Sequence, residues 1–333
     1  MNANSYSSPS TTGGNKEWLD GTLTILEPEE CPFTSMVSKD NSARGTFHET
    51  VSDRLRAART AGTREGSAGT KGGNKAVKRQ RFGAYLHRFL DTFGVTDVQQ
   101  AISEKGGNAV TDDEYADAKA KALRELKRDI EATCLSENDT QGGSDDEMQL
   151  RGAFKWLAAT QTPQIPTDFL TPAAQRLTGV ATLIEVGANS VNSVLKSLST
   201  QGGSGQYHMF AGVDYVEDID LFTRTGDGGT TQTRYTVNEN GRAQAISMIV
   251  KVFETSFGRV TVHPNQFVRI ASDGTGDVDS CLIADMEHWH MSFLEALHAA
   301  DDPEDASGMS GYVKAIGGLF CKAPRGSAFI YNA

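Results

Sequence analysis

Apolar and polar residues alternate in two stretches near the start of the chain. Phe47, Glu49 and Val51 lie in GTFHETVSDRLRA (45–57), and Val77, Arg79 and Arg81 open AVKRQRFGAYLHRFLDTFGVTDV (76–98). A period of two puts alternate side chains on one face, so each stretch predicts a strand and the pair predicts a long hairpin. Its tip is TREGSAGTKGGNK (63–75). The period then changes. Tyr115, Ala118, Ala122, Leu126, Ile130 and Cys134 recur three and four residues apart, which is one stripe of a helix. Thr111 and Glu114 read as a capping box, so the helix is predicted over about 111–136, roughly 39 Å of axis. Its opposite face carries Lys121, Arg124, Glu125, Lys127, Arg128 and Glu131. That face predicts a solvated surface with i,i+4 pairs such as Lys127 with Glu131. A second helix is predicted from about Leu183 to Leu198, stopped by Gly202-Gly203.

Strand-like runs follow: HMFAGVDYV, RYTVN, ISMIVKVFET, GRVTVHPNQFVRI and SCLIADMEHWHMSF, with GYVKAIGGLFCKA and SAFIYN last. Helices and antiparallel strands that segregate along a chain predict an α+β fold. Ahead of the hairpin, residues 1 to 22 are rich in Ser, Thr, Asn and Gly and read as an arm. In LTILEPEECPFTSM (23–36), Pro28 and Pro32 exclude regular helix, apart from a short helical turn started by Pro32.

Composition narrows the function. With 333 residues, 38% of them hydrophobic, the chain can bury a real core. No run of eighteen apolar residues and no basic-then-apolar N-terminus occurs, so the expectation is a protein folded in a cytosol. Cys31, Cys134, Cys281 and Cys321 are far apart in sequence and predict free thiols. The net charge of -11 argues against a dedicated nucleic-acid coat. Its distribution is uneven: residues 41–90 hold eleven Lys and Arg against three Asp and Glu, a surplus of eight that leaves -19 on the remainder. A basic segment on an acidic body suits a nucleic-acid arm and, equally, an arm lying across a second copy of the same body.

Signs of chemistry are few. The glycine-rich tip lacks the G-x-x-x-x-G-K-[ST] spacing and the following helix of a phosphate cradle. His288-Trp289-His290, with His298 beyond, is the best metal candidate, but nothing completes a ligand shell except Asp285 and Glu287, so core packing is the preferred account. Asp273-Gly-Thr-Gly-Asp277 reads as an ordinary turn. No catalytic, cofactor or metal residue is assigned.

The order of parts carries a resemblance. Ile25–Phe33 (I-L-E-P-E-E-C-P-F), the basic hairpin, Glu125–Glu131 (E-L-K-R-D-I-E), Arg151–Trp156 (R-G-x-F-x-W), Phe257–Phe267 (F-G-R-V-T-V-H-P-N-Q-F) and Asp285–Trp289 (D-x-x-x-W) follow one another along nearly the whole chain. This resembles the major capsid proteins of tailed bacteriophages, in the branch with an I-x-P-x-x-x-P-F-like signature in the arm. The last strands depart from the pattern, with Gly318 and Ala-Pro-Arg-Gly-Ser (323–327) where an acidic residue, an Asn and an Ala-His are expected.

The resemblance implies the Hong Kong 97-type fold. An N-terminal arm spans 1–39, an extended loop 40–97, a peripheral domain with its spine helix 98–180, an axial domain 181–300, and C-terminal strands 301–333 return to the peripheral domain. It further implies hexamers and pentamers of an icosahedral shell around a double-stranded DNA genome, held without sequence-specific contacts, in a virion assembled in the host bacterial cytoplasm. Contacts between subunits are expected at Glu29, Pro32, Phe33, Arg54, Arg56, Arg59, Arg64, Lys71, Lys75, Arg79 and Arg81, with Glu125, Arg128 and Glu131 on the spine helix. Expected partners are the chain itself, a portal and, as an option, a decoration protein. The few residues before the signature imply a separate scaffolding protein and an unprocessed arm. Lys71, Lys75 and Asn74 are compatible with covalent cross-linking but do not assign it. The rival with the same fold is an encapsulin-like compartment shell. A DNA-binding protein using 41–90 predicts salt-dependent binding by the monomer, and an enzyme is least supported.

Overall fold

Pro32 does start a helical turn: proline at the first position of α1 (Pro32–Met36) lacks only an N–H that would be unpaired there anyway. The computed structural model describes residues 31–55, 58, 60, 62, 64–65, 79–104, 113–142, 147–178, 191–224, 236–239, 242–245, 252–269, 280–303 and 308–331. After α1 come β1 (Ser38–Asp40), β2 (Phe47–Ser52), β3 (Gln80–Tyr85), β4 (His87–Thr96), α2 (Asp97–Glu104), α3 (Glu114–Cys134), α4 (Ala153–Leu157), β5 (Arg176–Thr178) and α5 (Val191–Thr200). The second half holds β6 (Gln206–Ala211), α6 (Val213–Arg224), β7 (Thr236–Glu239), β8 (Arg242–Ala245), β9 (Val252–Thr255), β10 (Gly258–Pro264), β11 (Cys281–Ala284), β12 (Trp289–Asp301), β13 (Gly308–Cys321) and β14 (Ala328–Tyr331).

Four sheets result, ordered β1-β12-β13-β4, β5-β14-β11-β6-β10-β9, β2-β3 and β7-β8. The fold is α+β, but its strands are not all antiparallel: β1 with β12, β10 with β6, and β14 with β5 run parallel. Each such pair joins strands distant in sequence, which a local pattern does not reveal. A second correction concerns GVDYV, read as the end of the strand-like run HMFAGVDYV. From Val213 it opens α6 instead, in which Tyr215 and Ile219, four apart, are buried on one face.

By contacts the chain divides into two compact units, one built from Leu90–Leu126 and His298–Val313, the other from Glu30–Phe89, Lys127–Leu297 and Lys314–Ala333. In the first, Phe93 packs against Tyr115, with ring centroids 5.4 Å apart. Asp113 is the N-cap of α3: its Oδ1 accepts from the N–H groups of Tyr115 and Ala116, both at 3.1 Å. The helix therefore begins at Glu114 rather than at the Thr111 capping box and ends at Cys134. Thr111 lies outside the described residues.

In the second unit the inner strands of the six-stranded sheet, β14, β11 and β6, are buried on both faces. Tyr207, Met209, Val260, Val262, Cys281, Ile283 and Ile330 meet Val194, Leu195 and Leu198 of α5 and Tyr215 of α6. The alternate residues Phe210, Leu282 and Phe329 are buried on the other side, where Phe33 meets Phe210 and Phe154 meets Phe329. Strands covered twice need apolar residues at every position, which explains the unbroken runs CLIA and AFIY. Helix α5 stops as expected: Gly202 takes φ +91° and the Gly203 N–H bonds the Leu198 carbonyl at 3.1 Å. Residues 183–190, read as its start, lie outside the described residues.

Candidate assembly surfaces

The spine-helix motif and the arm motif meet at one carboxylate. Glu131 is fully buried, and its Oε1 accepts from the Phe33 N–H at 2.8 Å while Oε2 accepts from the Thr34 N–H at 2.7 Å. Asn265, of the H-P-N-Q-F run, donates Nδ2–H to Oε1 at 2.7 Å. These are the orphan donors at the start of α1, satisfied by a side chain far away in sequence. The pairing predicted from helix spacing, Lys127 with Glu131 on a solvated face, is thereby corrected. Glu131 is buried because it caps a neighbouring helix. Phe33 is corrected likewise: it is buried in its own chain, edge-on to Phe210 and Trp289 at centroid distances of 5.2 and 6.0 Å. Its side chain anchors the chain leaving the arm instead of offering a contact to a neighbour.

R-G-x-F-x-W is a second buried node. Arg151 has no exposed surface; its Nε bonds Asp139 at 3.2 Å, its Nη2 bonds the Pro163 carbonyl at 2.9 Å, and its guanidinium lies 4.8 Å from the centre of the Trp156 ring. Burial pulls the Arg151 pKa below its usual value, against the pull of Asp139. Gly152 is required because a Cβ there would collide with the Ser136 carbonyl oxygen. Trp156 donates its indole N–H to the Leu319 carbonyl at 3.0 Å.

The extended hairpin is rooted between these nodes. β2 and β3 pair antiparallel from Phe47↔Tyr85 to Ser52↔Gln80. The residues from His87 onward, read as part of the same returning strand, instead form β4 in the four-stranded sheet. One face of the root is core: Phe82 meets Trp156 and Phe169, and Thr50 and Ala84 are buried. The other face carries ion pairs, Arg81 with Glu49 at 3.9 Å and Arg79 with Asp53 at 3.5 Å, beside Val51, which is 56% exposed. Leu55, just beyond β2, is 93% exposed. Arg54 pairs with Asp168 at 3.7 Å, and Arg64 is exposed. Pro32 is half-buried as the first residue of α1. Glu29, Arg56, Arg59, Lys71 and Lys75 lie outside the described residues. On the helix, Glu125 is exposed and Arg128 rests its guanidinium over Phe267, 5.7 Å from the ring centre.

His48 and His290 pack against one aromatic ring. His290 is buried and His288 ends a short turn, its Nε2 3.7 Å from Asp285. His290 shares the Phe320 ring with His48, at centroid distances of 5.6 and 4.5 Å. Burial and the nearby Lys322 push the His290 pKa down to about 4. Sequence spacing missed His48, whose partner is 242 positions away. Among the described residues no group of three or more His, Cys, Asp or Glu is placed to hold a metal. The four cysteines are free, with Cys281 raised to about 12 by burial.

A hairpin rooted in the core, a long charged helix and a doubly covered sheet are the parts of a Hong Kong 97-type shell subunit, and solved structures share that fold. The cyanophage A-1(L) capsid matches with a TM-score of 0.62 at 10% identity, covering 96% of this chain and 97% of that one. The capsid of a native GTA particle matches at 0.61 and 10% identity, over 98% and 97% of the two chains. The SrpI encapsulin of Synechococcus elongatus PCC 7942 matches at 0.53 and 10% identity, over 95% and 92%. No curated protein matches the sequence. The family model described as SU10 major capsid protein matches residues 4–333, and the chain belongs to that family of virion capsid proteins.

Proposed function

We propose that this capsid protein forms hexamers and pentamers of an icosahedral shell around packaged double-stranded DNA, with the extended hairpin bridging neighbouring subunits. The observation that carries the bridging role is the two-faced root of the hairpin. One face is locked into the core by Phe82, while Val51, Leu55, Arg79 and Arg81 stay exposed. A two-stranded hairpin has too little core of its own and gains stability by lying on another surface. The basic surplus of 41–90 and the acidic remainder supply the attraction. Each exposed pair contributes roughly 0–1 kcal/mol, but a closed shell repeats it in every subunit.

The organisation that fits is an arm over 1–39, an extended loop over 40–97, a peripheral domain over 98–180, an axial domain over 181–300 and C-terminal strands over 301–333. A separate scaffolding protein, a portal and assembly in the host bacterial cytoplasm belong to the same proposal. The contact set in this reading is Pro32, Arg54, Arg56, Arg59, Arg64, Lys71, Lys75, Arg79 and Arg81, with Glu29 in the arm. A compartment shell enclosing other cargo is the second reading, supported by the likeness to the SrpI encapsulin. Electron microscopy of the full chain beside a variant lacking Arg59 to Lys75 tests the bridge. Closed shells from the first and loose capsomers from the second are expected. Shells of unchanged yield from the deletion would overturn the bridging role.

A further inference from the structure

Where the hairpin leaves the core, two guanidiniums face one carboxylate. Arg54 Nη1 donates to the Asp168 backbone carbonyl at 3.2 Å and lies 3.7 Å from Asp168 Oδ1. Arg325, on the short turn Pro324–Gly326, donates its Nε–H to the Leu170 carbonyl at 3.1 Å. The Thr171 hydroxyl donates to the Pro324 carbonyl at 3.0 Å, which ties the turn to the 168–171 segment. Arg54 and Arg325 are close enough that the charge of one, after burial, lowers the pKa of the other, with Asp168 opposing. Arg325 Nη1 is buried yet has no hydrogen-bond partner among the described residues. Among the described residues, Asp168 is the carboxylate that acts on Arg325. Asp53 is engaged by Arg79, and Lys322, whose carbonyl accepts from Ser52, adds another cation.

The buried Nη1 of Arg325 is out of reach of a second chain, but the Arg54 side chain is 42% exposed and Arg325 partly so, and two neighbouring cations at a surface favour the arrival of an anion. A carboxylate suits them, because its two oxygens match the forked donors of arginine. We propose that Arg54 and Arg325 form a socket for an Asp or Glu side chain of a second copy of this chain. The second copy is the favoured source, since each chain carries -19 outside residues 41–90 and is rich in carboxylates. The socket fixes the root of the hairpin to a neighbour, whereas the proposed bridge concerns its far end. It rests on the shell reading, and its test separates the two.

The test uses shells assembled from equal amounts of ¹⁴N- and ¹⁵N-labelled full chain carrying R325K and, in parallel, R54K. A water-soluble carbodiimide joins a lysine amine to a carboxylate in contact with it. Mass spectrometry of the peptides then tells links between subunits, which mix labels, from links within one. Expected is a mixed-label link from position 325 or 54 to an Asp or Glu, absent from unassembled subunits. R325Q is expected to raise the protein concentration needed for shells by about tenfold, the scale of one charge-assisted contact. Links to Asp168 of the same chain alone, or none from either lysine in intact shells, overturn the socket and leave the shell reading standing. Shell integrity lost on nuclease treatment, with no protein link, points to phosphate as the anion and also overturns it. Failure of the unsubstituted chain to form shells under any condition overturns the shell reading and the socket together.

Discussion

Replacing Glu131 with glutamine changes one atom and no volume, so its effect isolates the charge and the acceptor count. The carboxylate accepts three hydrogen bonds at 2.7–2.8 Å from Phe33 N–H, Thr34 N–H and Asn265 Nδ2. Glutamine has one acceptor oxygen, and its NH₂ must face at least one of these donors in a fully buried site. A hydrogen bond to a charged group contributes about 1.5–3 kcal/mol, and an unpaired buried donor costs about 1–3 kcal/mol. Allowing for relaxation, E131Q should destabilise the unassembled subunit by about 3 kcal/mol. Urea unfolding reads this directly, and native-state hydrogen exchange reads it locally. The Phe33 and Thr34 amides should exchange about a hundredfold faster. N265A in both backgrounds closes a double-mutant cycle and should reveal coupling. A loss under about 0.5 kcal/mol with unchanged exchange at both amides would refute the claim that Glu131 holds the arm to the helix.

The remaining predictions concern the other buried groups. F33A empties a site enclosed by Phe210 and Trp289 and should cost about 3–5 kcal/mol in urea unfolding, against near-neutral substitutions at exposed Leu55. R151A empties a fully buried site and removes one partner each from Asp139 and the Pro163 carbonyl, and should cost about 3–5 kcal/mol; a loss under 1 kcal/mol would show that the Trp156 contact and the ion pair contribute little. His290, faced by His48, Lys322 and Asp40, is held neutral, with its pKa lowered to about 4. A folded pKa below the unfolded value means stability present above about pH 6.5 and lost as pH falls toward 4, up to about 3 kcal/mol. H290Q should flatten urea-unfolding stability between pH 7 and pH 4.5, and an unchanged slope would contradict the assignment.

What the sequence made legible was local. Pro32, the stripe from Tyr115 to Cys134 and the Gly202 stop each act through near neighbours, and each lies in the predicted kind of element. The errors concern residues whose partners are distant. Glu131 has ideal i,i+4 spacing with Lys127, but its true partners are Phe33, Thr34 and Asn265, and helix periodicity contains no information about them. Asp113 and Thr111 are both good caps three residues or fewer from Glu114; the choice of Asp113 goes with Gln100, which also bonds the Tyr115 N–H and the Asp113 carboxylate. The motifs were visible as strings, yet their physical content was not. Phe33, the last residue of I-L-E-P-E-E-C-P-F, and Glu131, the last of E-L-K-R-D-I-E, meet in one buried hydrogen-bond cluster, and R-G-x-F-x-W is a cation stacked on a core tryptophan. Apolar runs such as CLIA told of burial on both faces, but the parallel partners of β6 and β14 are set by long crossovers that a window of ten residues does not span.

The most direct test of the central claim is electron microscopy of the purified full chain, expressed alone and with a candidate scaffolding protein. Closed shells of uniform diameter in either preparation are the predicted result. A monodisperse monomer in both, at concentrations where related subunits close into shells, would contradict the assignment of this chain to shell building.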